Sequence, residues 1–250
     1  MEKLQKYFIE ISYDGTAYHG WQIQPNAITI QEVLDKALST YFRRKIETLG
    51  CGRTDTGVHA TQFFAHFCNL SLSTENETKA INSMNSLLPF DISVKQLIKV
   101  GAQSHARFDA TQRSYEYHIH YRKNPFLHNR SLLQRDELNV AHMNDAARQL
   151  LTYTDFSCFS KSNTQVFTNN CKISRAEWVE ATDALTFHIS ADRFLRNMVR
   201  AIVGTMIEIG KGKLQPEAIH DIIQSKNRSK AGASVPACGL YLTSVKYPYL

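Results

Sequence analysis

The sequence has few cysteines and no long hydrophobic run. No stretch of the sequence comes close to the roughly 20 consecutive apolar residues that a membrane-spanning helix needs. The first residues also lack the basic segment followed by a long apolar segment that is typical of a signal peptide. The five cysteines are an odd number at irregular spacings, with no Cys-x-x-Cys pair and no Cys/His cluster of zinc-ligand pattern. We therefore predict a soluble, cytoplasmic protein with reduced thiols and no membrane association.

The sequence also lacks low-complexity segments, Pro-rich linkers and blocks of like charge. With 43% apolar and 21% charged residues among 250, its composition is that of an ordinary globular protein. Intrinsic disorder and a fibrous chain are excluded. Because nothing marks a flexible hinge, we expect one compact body of one or two lobes.

The charge is basic and unevenly distributed. Lys and Arg outnumber Asp and Glu by 29 to 23, which gives a formal net charge of +6. Residues 1–100 are balanced with ten of each sign, so the whole excess lies in residues 101–250. This pattern favours an acidic partner for the second part of the chain.

Hydrophobic periodicity predicts an α+β fold with a mainly antiparallel sheet, because each half of the chain reads roughly as β-α-β-β-α-β. Thr29 and Glu32 form a capping box at the start of the first helix, and Asn139 is a predicted N-cap. The predicted strands are 6–13, 46–51, 61–68, 92–100, 113–121, a hairpin over 171–191 turning at 182–184, and 240–247. The predicted helices are 29–43, 77–88, 140–151, 193–209, and a short one opened by Pro216.

His118 and His120 lie two apart on a predicted strand and therefore share a face. A metal site needs further ligands, and we assign none beside these two histidines. We predict no metal site.

The densest polar cluster is Cys51-Gly52-Arg53-Thr54-Asp55-Thr56-Gly57-Val58-His59-Ala60, between two apolar strands. Its glycines permit a tight turn. Arg53 is placed to keep the Asp55 carboxylate ionised through a charge-assisted hydrogen bond, and such a carboxylate is a competent nucleophile or base.

Two other interpretations use the same residues. Thr-Asp-Thr-Gly is good turn chemistry, in which Asp55 would cap its own backbone. Asp55-Thr56-Gly57 also spells the Asp-Thr-Gly of aspartic peptidases, where two carboxylates share one proton. The chain has no second copy of that motif, which disfavours a peptidase.

A wider resemblance decides between these interpretations. Gly52-Arg53-Thr54-Asp55 with Gly57-Val58-His59-Ala60 resembles the signature of the tRNA pseudouridine synthase A family. Further segments resemble the same family in order along residues 13–242: Tyr13-Asp14-Gly15-Thr16, Gly20-Trp21-Gln22, Thr29-Ile30-Gln31-Glu32, His105-Ala106-Arg107-Phe108-Asp109-Ala110, Arg113-Ser114-Tyr115-Glu116-Tyr117, Phe194 with Met198-Val199-Arg200 and Ile202-Val203-Gly204, and Gly239-Leu240-Tyr241-Leu242.

The resemblance implies two similar ferredoxin-like lobes, 1–104 with the catalytic loop and 105–250 with a basic RNA-binding surface, and an active cleft between them. It implies that uridines of the tRNA anticodon arm, typically at positions 38 to 40, are isomerised to pseudouridine by a homodimer without metal or cofactor. Attack by the aspartate on C1′ and attack on the base are both compatible with the motif.

The family motifs also assign residues. Asp55 is the expected catalytic carboxylate, and Arg53 is expected to pair with it and to fill the space of a flipped base. Tyr115 is expected to stack on the uracil, although a core tyrosine is the alternative. Further substrate-binding residues expected from the motifs are Arg113, Leu240 as an apolar wall, and Arg200. Arg196 is expected to contact phosphate on other grounds: with Arg193 and Arg200 it forms a basic stripe on the predicted helix 193–209, in the part of the chain that holds the charge excess.

One segment departs from the family pattern. After His59-Ala60 the family usually has x-Gly-Gln, whereas this chain has Thr61-Gln62-Phe63. The spacing to His66 is kept, so only a role for that Gly-Gln pair is in doubt. The alternative function is a catalytically inactive RNA-binding module of the same fold.

Overall fold

The computed structural model describes residues 5–69, 74–161 and 167–250. Contacts divide the chain into two compact units. Unit 1 is Met1–Thr111 together with Leu242–Leu250, and unit 2 is Gln112–Tyr241. The last strand of the chain therefore begins in unit 2 and ends in unit 1.

Unit 1 is built on long antiparallel strands. Its elements are β1 (Gln5–Tyr13), α1 (Ile30–Phe42), β2 (Leu49–Gly50), β3 (His59–Asn69), α2 (Thr74–Leu87), β4 (Ile92–Val100) and the end of β9 (Leu240–Lys246). The strand order is β4-β1-β3-β9, with β2 beside β3. β1 pairs antiparallel with β3 and with β4, which places it inside the sheet.

The interior position of β1 explains its composition. Tyr7, Phe8, Ile9 and Ile11 are fully buried, so both faces of the strand are apolar. Glu10 is also buried, and its carboxylate accepts hydrogen bonds from the side-chain amides of two neighbouring strands. Those bonds satisfy a charge that burial would otherwise destabilise.

Unit 2 repeats the mixture of helices and strands. Its elements are β5 (Gln112–His120), β6 (Leu132–Leu133), α3 (Val140–Leu150), β7 (Ile173–Ala181), β8 (Ala184–Ala191), α4 (Met198–Gly210), α5 (Ala218–Ser225) and the start of β9. The strand order is β5-β8-β7, all antiparallel, and β6 pairs parallel with β5. α3 packs on β7 and on α4.

Most predicted elements are confirmed, and so is the mixed, mainly antiparallel fold class. The Thr29 hydroxyl accepts from the Glu32 N–H at 3.3 Å, and the Asn139 side chain accepts from the His142 N–H at 3.0 Å. The 171–191 hairpin turns at Asp183, whose φ is 58°. These features are local, which is why the sequence signals them.

Two predicted elements are wrong in extent. The strand predicted at 46–51 is reduced to Leu49–Gly50. The helix predicted from residue 193 begins only at Met198, because its N-cap Asn197 is left-handed with φ 66°. Before it, the Asp192 carboxylate accepts from the N–H groups of Lys172 and Arg193, which holds the chain in a turn. Arg193 and Arg196 therefore do not lie on the helix that carries Arg200.

The predicted boundary between two domains, 1–104 and 105–250, stays a prediction.

Among the described residues no helix has the length and apolarity needed to cross a lipid bilayer. None of the five cysteines forms a disulfide in the described parts of the chain.

Candidate active site

The loop of residues 51–58, which we call the Asp55 loop, connects β2 to β3 in unit 1. Its start is fixed by the Cys51 N–H, which donates to the Phe64 carbonyl at 2.7 Å. Its end is closed by the Val58 N–H, which donates to the carbonyl of Asp55 itself at 3.1 Å. Asp55 thus lies in a tight turn between two anchored ends, as the turn chemistry predicts.

A second segment, residues 13–21, packs against this loop. The Trp21 N–H donates to the Thr54 carbonyl at 3.2 Å, and the Tyr13 hydroxyl lies 2.9 Å from the Thr54 hydroxyl. Gly20 has φ +86°, and a Cβ added there would lie 2.3 Å from the Thr54 carbonyl oxygen. Close approach of the two backbones therefore requires glycine.

His59 supports the loop from its C-terminal side. The ring is 2% exposed, and its Nδ1 accepts from the Gly15 N–H at 3.1 Å. Asp14 Oδ1 also lies 3.1 Å from the same nitrogen. When Nδ1 is unprotonated, its lone pair accepts a hydrogen bond from Gly15. When Nδ1 carries a proton, it can donate that proton to Asp14, so Nδ1 has a partner in either state.

Asp55 is half-buried, whereas Arg53 is exposed. The predicted hydrogen bond from Arg53 to Asp55 is wrong: among the described residues Arg53 makes neither a hydrogen bond nor an ion pair. The two side chains are two residues apart, but that spacing does not determine which way each points. The exposed guanidinium is instead available to an incoming ligand.

Arg113 and Tyr115 lie on β5 in unit 2, side by side on one face of the strand. The Arg113 guanidinium donates to the Asp192 carbonyl at 3.1 Å. Tyr115 is half-buried and meets the Phe194 ring edge to face, with centroids 5.2 Å apart. Tyr117 is the core tyrosine of this strand, fully buried, and burial raises its pKa well above the usual range.

Arg196 and Arg200 have different surroundings. Arg196 is exposed in the turn before α4, and its carbonyl accepts from the Lys161 N–H at 3.2 Å. Arg200 is half-buried on α4, and its Nε donates to the Val235 carbonyl at 2.7 Å. The Val235 N–H returns a bond to the Arg200 carbonyl at 3.2 Å. Arg200 thus fixes the segment that leads into β9, where Leu240 is 6% exposed.

Comparison with known proteins shows which family the chain resembles. The family described as tRNA pseudouridine synthase matches residues 146–248. A protein of Bacteroides fragilis named tRNA pseudouridine synthase A is 50% identical over 98% of this chain and 97% of its own length. A protein of the same name from Ruminiclostridium cellulolyticum is 41% identical over 98% of this chain and all of its own length.

The chain belongs to the tRNA pseudouridine synthase A family. The structure places the two catalytic residues predicted from the family motifs, Arg53 and Asp55, on one loop of unit 1. It places the predicted substrate-binding residues, Arg113, Tyr115, Arg196, Arg200 and Leu240, in unit 2. Asp14, Gly20 and His59 carry no predicted role, although they lie in segments that resemble the family.

The departure from the family pattern in β3 also has a structural role. The Gln62 side chain accepts from the Val245 N–H at 2.9 Å and donates to Glu10 at 3.1 Å. Phe63 is fully buried and stacks on Trp21, with ring centroids 4.2 Å apart. Among the described residues no group of three or more His, Cys, Asp or Glu side chains is arranged to hold a metal ion.

Proposed function

We propose that this protein isomerises uridine to pseudouridine in tRNA. The observation that carries the proposal is the similarity to proteins named tRNA pseudouridine synthase A, at 41–50% identity over 98% of the chain. The Asp55 loop supports it, because the loop holds one carboxylate, half-buried and anchored on both sides, beside an exposed arginine. The finer proposal is that the target uridines lie in the anticodon arm, at positions 38 to 40.

The reaction rearranges one nucleotide without changing its composition. The C1′–N1 glycosidic bond breaks, the uracil turns, and a C1′–C5 bond forms. The hydrogen on C5 is then lost to solvent, and N1 acquires a proton. This balance needs no oxidant, reductant or co-reactant, which is consistent with our expectation that no cofactor takes part.

Asp55 is proposed as the catalytic residue. As the C1′–N1 bond breaks, positive charge develops at C1′, and a carboxylate stabilises that charge or forms a covalent bond to the sugar or the base. Because its loop is tied to β3 and to residues 13–21, the carboxylate is positioned before substrate binds, which lowers the reorganisation cost of the reaction.

The target base must leave its stack before it reacts, at a cost of a few kcal/mol. Arg53, exposed beside Asp55, is suited to fill the space that the base vacates. Tyr115 is proposed to stack on the flipped uracil with its hydroxyl near C5. Its half-buried ring, held by Phe194, suits that role better than a role in the core, which Tyr117 already fills.

The remaining substrate contacts are assigned to unit 2. Arg113 and Arg196 are proposed phosphate contacts, and Leu240 is a proposed apolar wall of the uracil pocket. Arg200 is proposed to act near the same pocket while it holds Val235. Two similar ferredoxin-like lobes, an active cleft between them, a homodimer that holds one tRNA, and a cytoplasmic location complete the proposal.

The experiment is to incubate unmodified tRNA transcripts with the protein and map pseudouridine by carbodiimide adducts that stop reverse transcriptase. We expect new stops at positions 38 to 40 when those positions are uridines. Transcripts with cytidine at the same positions provide the matched control. Binding of tRNA without any pseudouridine would favour the inactive RNA-binding module instead.

A further inference from the structure

Phe108 is a large apolar side chain that the fold leaves in water. It is 74% exposed and lies in unit 1, between β4 and β5. The His105 ring lies under it, with centroids 4.3 Å apart and planes inclined by 33°. The Arg107 guanidinium carbon lies 5.6 Å from the centre of the Phe108 ring. The three side chains form an aromatic surface with a cation at its edge.

The backbone that presents Phe108 is held by the side chain of His105. The ring Nδ1 accepts from the N–H groups of Arg107 at 3.1 Å and of Phe108 at 3.3 Å. The Asp109 carboxylate accepts from the His105 N–H at 2.8 Å, and the Asp109 N–H donates to the His105 carbonyl at 3.1 Å. We call residues 105–109 the His105 turn.

The His105 turn is also tied to the interior of unit 1. Ala106 is buried, and its N–H donates to His66 Nδ1 at 3.2 Å. The Ala106 carbonyl accepts from the Tyr247 hydroxyl at 2.6 Å, and the Asp109 carboxylate accepts from the Tyr249 hydroxyl at 2.7 Å. With both sides of the turn anchored, the exposure of Phe108 is imposed by the fold.

The other exposed phenylalanines in the described parts of the chain lack these features. Phe90, which is in the same unit, is fully exposed. Within the described residues no aromatic ring or cation packs against it, unlike Phe108. A preorganised ring flanked by a cation is the arrangement that proteins use to stack nucleobases, and the neighbouring guanidinium complements a phosphate.

We propose that Phe108 is a stacking platform for an unpaired nucleobase of the bound tRNA. Arg107 contacts the adjoining phosphate, and His105 is a positioning residue that fixes the ring. The inference rests on the proposed function for the identity of the RNA. It does not rest on the chemistry at Asp55.

The first test replaces the ring with a fluorophore. The chain has two tryptophans, Trp21 and Trp178, which are 3% and 4% exposed, so Phe108→Trp adds one exposed indole. The variant is made in an Asp55→Asn background to separate binding from turnover. We expect saturating tRNA to reduce acrylamide quenching of this indole several-fold. Unchanged quenching at saturation would overturn the proposal, and so would equal protection by a fully paired RNA duplex.

The second test measures affinity for tRNA at several salt concentrations. Phe108→Ala is expected to weaken binding by about 5- to 100-fold without changing the slope of log K against log salt, because stacking releases no counterions. Phe108→Tyr should restore binding, and Phe90→Ala should leave it unchanged. Arg107→Ala should reduce the slope. A Phe108→Ala variant with wild-type affinity would contradict the stacking role.

The positioning role of His105 has its own rescue test. The side-chain oxygen of asparagine can accept the two backbone N–H bonds that His105 Nδ1 accepts now. His105→Ala is therefore expected to lose tRNA affinity as Phe108→Ala does, and His105→Asn to recover most of it. If both variants lost affinity equally, the turn would not be held as proposed. Protection of the indole without pseudouridine formation by wild type would refute the proposed function alone.

Discussion

At the scale of single residues, buried titratable groups make the stability of the fold depend on pH. His66 lies on β3 and is 8% exposed, and burial together with the nearby His105 and Lys6 lowers its pKa to about 4, while Asp109 opposes that shift. The neutral ring leaves Nδ1 able to accept from Ala106. The anchor of the His105 turn therefore depends on an unprotonated histidine.

We predict that His66 makes the protein less stable as pH falls from about 6.5 to 4. In that window the unfolded chain binds a proton that the folded His66 does not, so the free energy of unfolding decreases as pH is lowered, by about 2 to 3 kcal/mol in total. Urea unfolding of the wild type and of His66→Asn, which keeps an acceptor for Ala106, measures the difference.

The comparison with His66→Asn is necessary because Asp35 acts in the opposite sense. Its buried carboxyl accepts from the Thr48 N–H and hydroxyl, yet burial raises its pKa to about 6. Asp35 therefore makes the wild type less stable as pH rises from about 4 to 6. A difference between wild type and His66→Asn that did not depend on pH would contradict the assignment to His66.

Residue identity alone predicted some contacts and missed others. The caps at Thr29 and Asn139 were predictable because each is a bond between neighbours in sequence. The contact of His59 with Gly15 spans 44 residues and had no local signal. The predicted bond between Arg53 and Asp55 failed for a related reason, since side-chain direction in a turn is set by what packs around it.

At the scale of secondary-structure elements, α4 depends on a close backbone contact. A Cβ at Gly204 would lie 1.8 Å from the Ala233 carbonyl oxygen. The segment that carries Ala233 is further held to α4 by the Gly232 N–H, which donates to the Thr205 hydroxyl at 2.9 Å, and by Arg200. This segment lies directly before β9, and so before Leu240.

We predict that Gly204→Ala lowers the free energy of unfolding by about 1 to 3 kcal/mol, because the gain in helix propensity is smaller than the cost of displacing the packed segment. Urea unfolding measures it. Gly101→Ala is the control, since the nearest atom to its new Cβ would be the Ser104 hydroxyl at 3.5 Å. Equal stability of Gly204→Ala and wild type would show that the segment is not packed as described.

The start of α4 shows where element prediction fails. Residues 193–197 have helical spacing of arginines and apolar residues, which predicted a helix. The bonds from Lys172 and Arg193 to the Asp192 carboxylate, together with the left-handed Asn197, impose a turn there instead. The bond from Lys172 comes from 20 residues away, beyond the reach of a periodicity analysis.

At the scale of the whole molecule, charge is divided as the sequence indicates. Unit 2 carries 17 basic and 12 acidic side chains, so most of the net +6 lies there. Arg196, exposed in the turn before α4, is one of the two proposed phosphate contacts within this surplus. The mixed, mainly antiparallel fold was also predictable, because strand and helix periodicities are strong, whereas the return of the last residues to unit 1 has no local signal.

We predict that Arg196→Ala weakens tRNA binding. It should also reduce the magnitude of the slope of log K against log salt by about 1, the change expected when one phosphate contact is lost. Arg148→Ala removes the same charge from α3, where the guanidinium pairs with Asp145, and should leave the slope unchanged. Filter binding at salt concentrations from about 50 to 200 mM, where phosphate contacts weaken, measures the slope for each variant. Equal slopes for the two variants would exclude Arg196 as a phosphate contact.

The central claim is that Asp55 is the catalytic carboxylate of a uridine isomerase, and tritium release tests it most directly. tRNA labelled at uridine C5 loses the label when the C1′–C5 bond replaces C1′–N1. We predict release by the wild type and none above background by Asp55→Asn, with tRNA binding retained by the variant. Release by Asp55→Asn at the wild-type rate, or no release by the wild type from any tRNA it binds, would contradict the account.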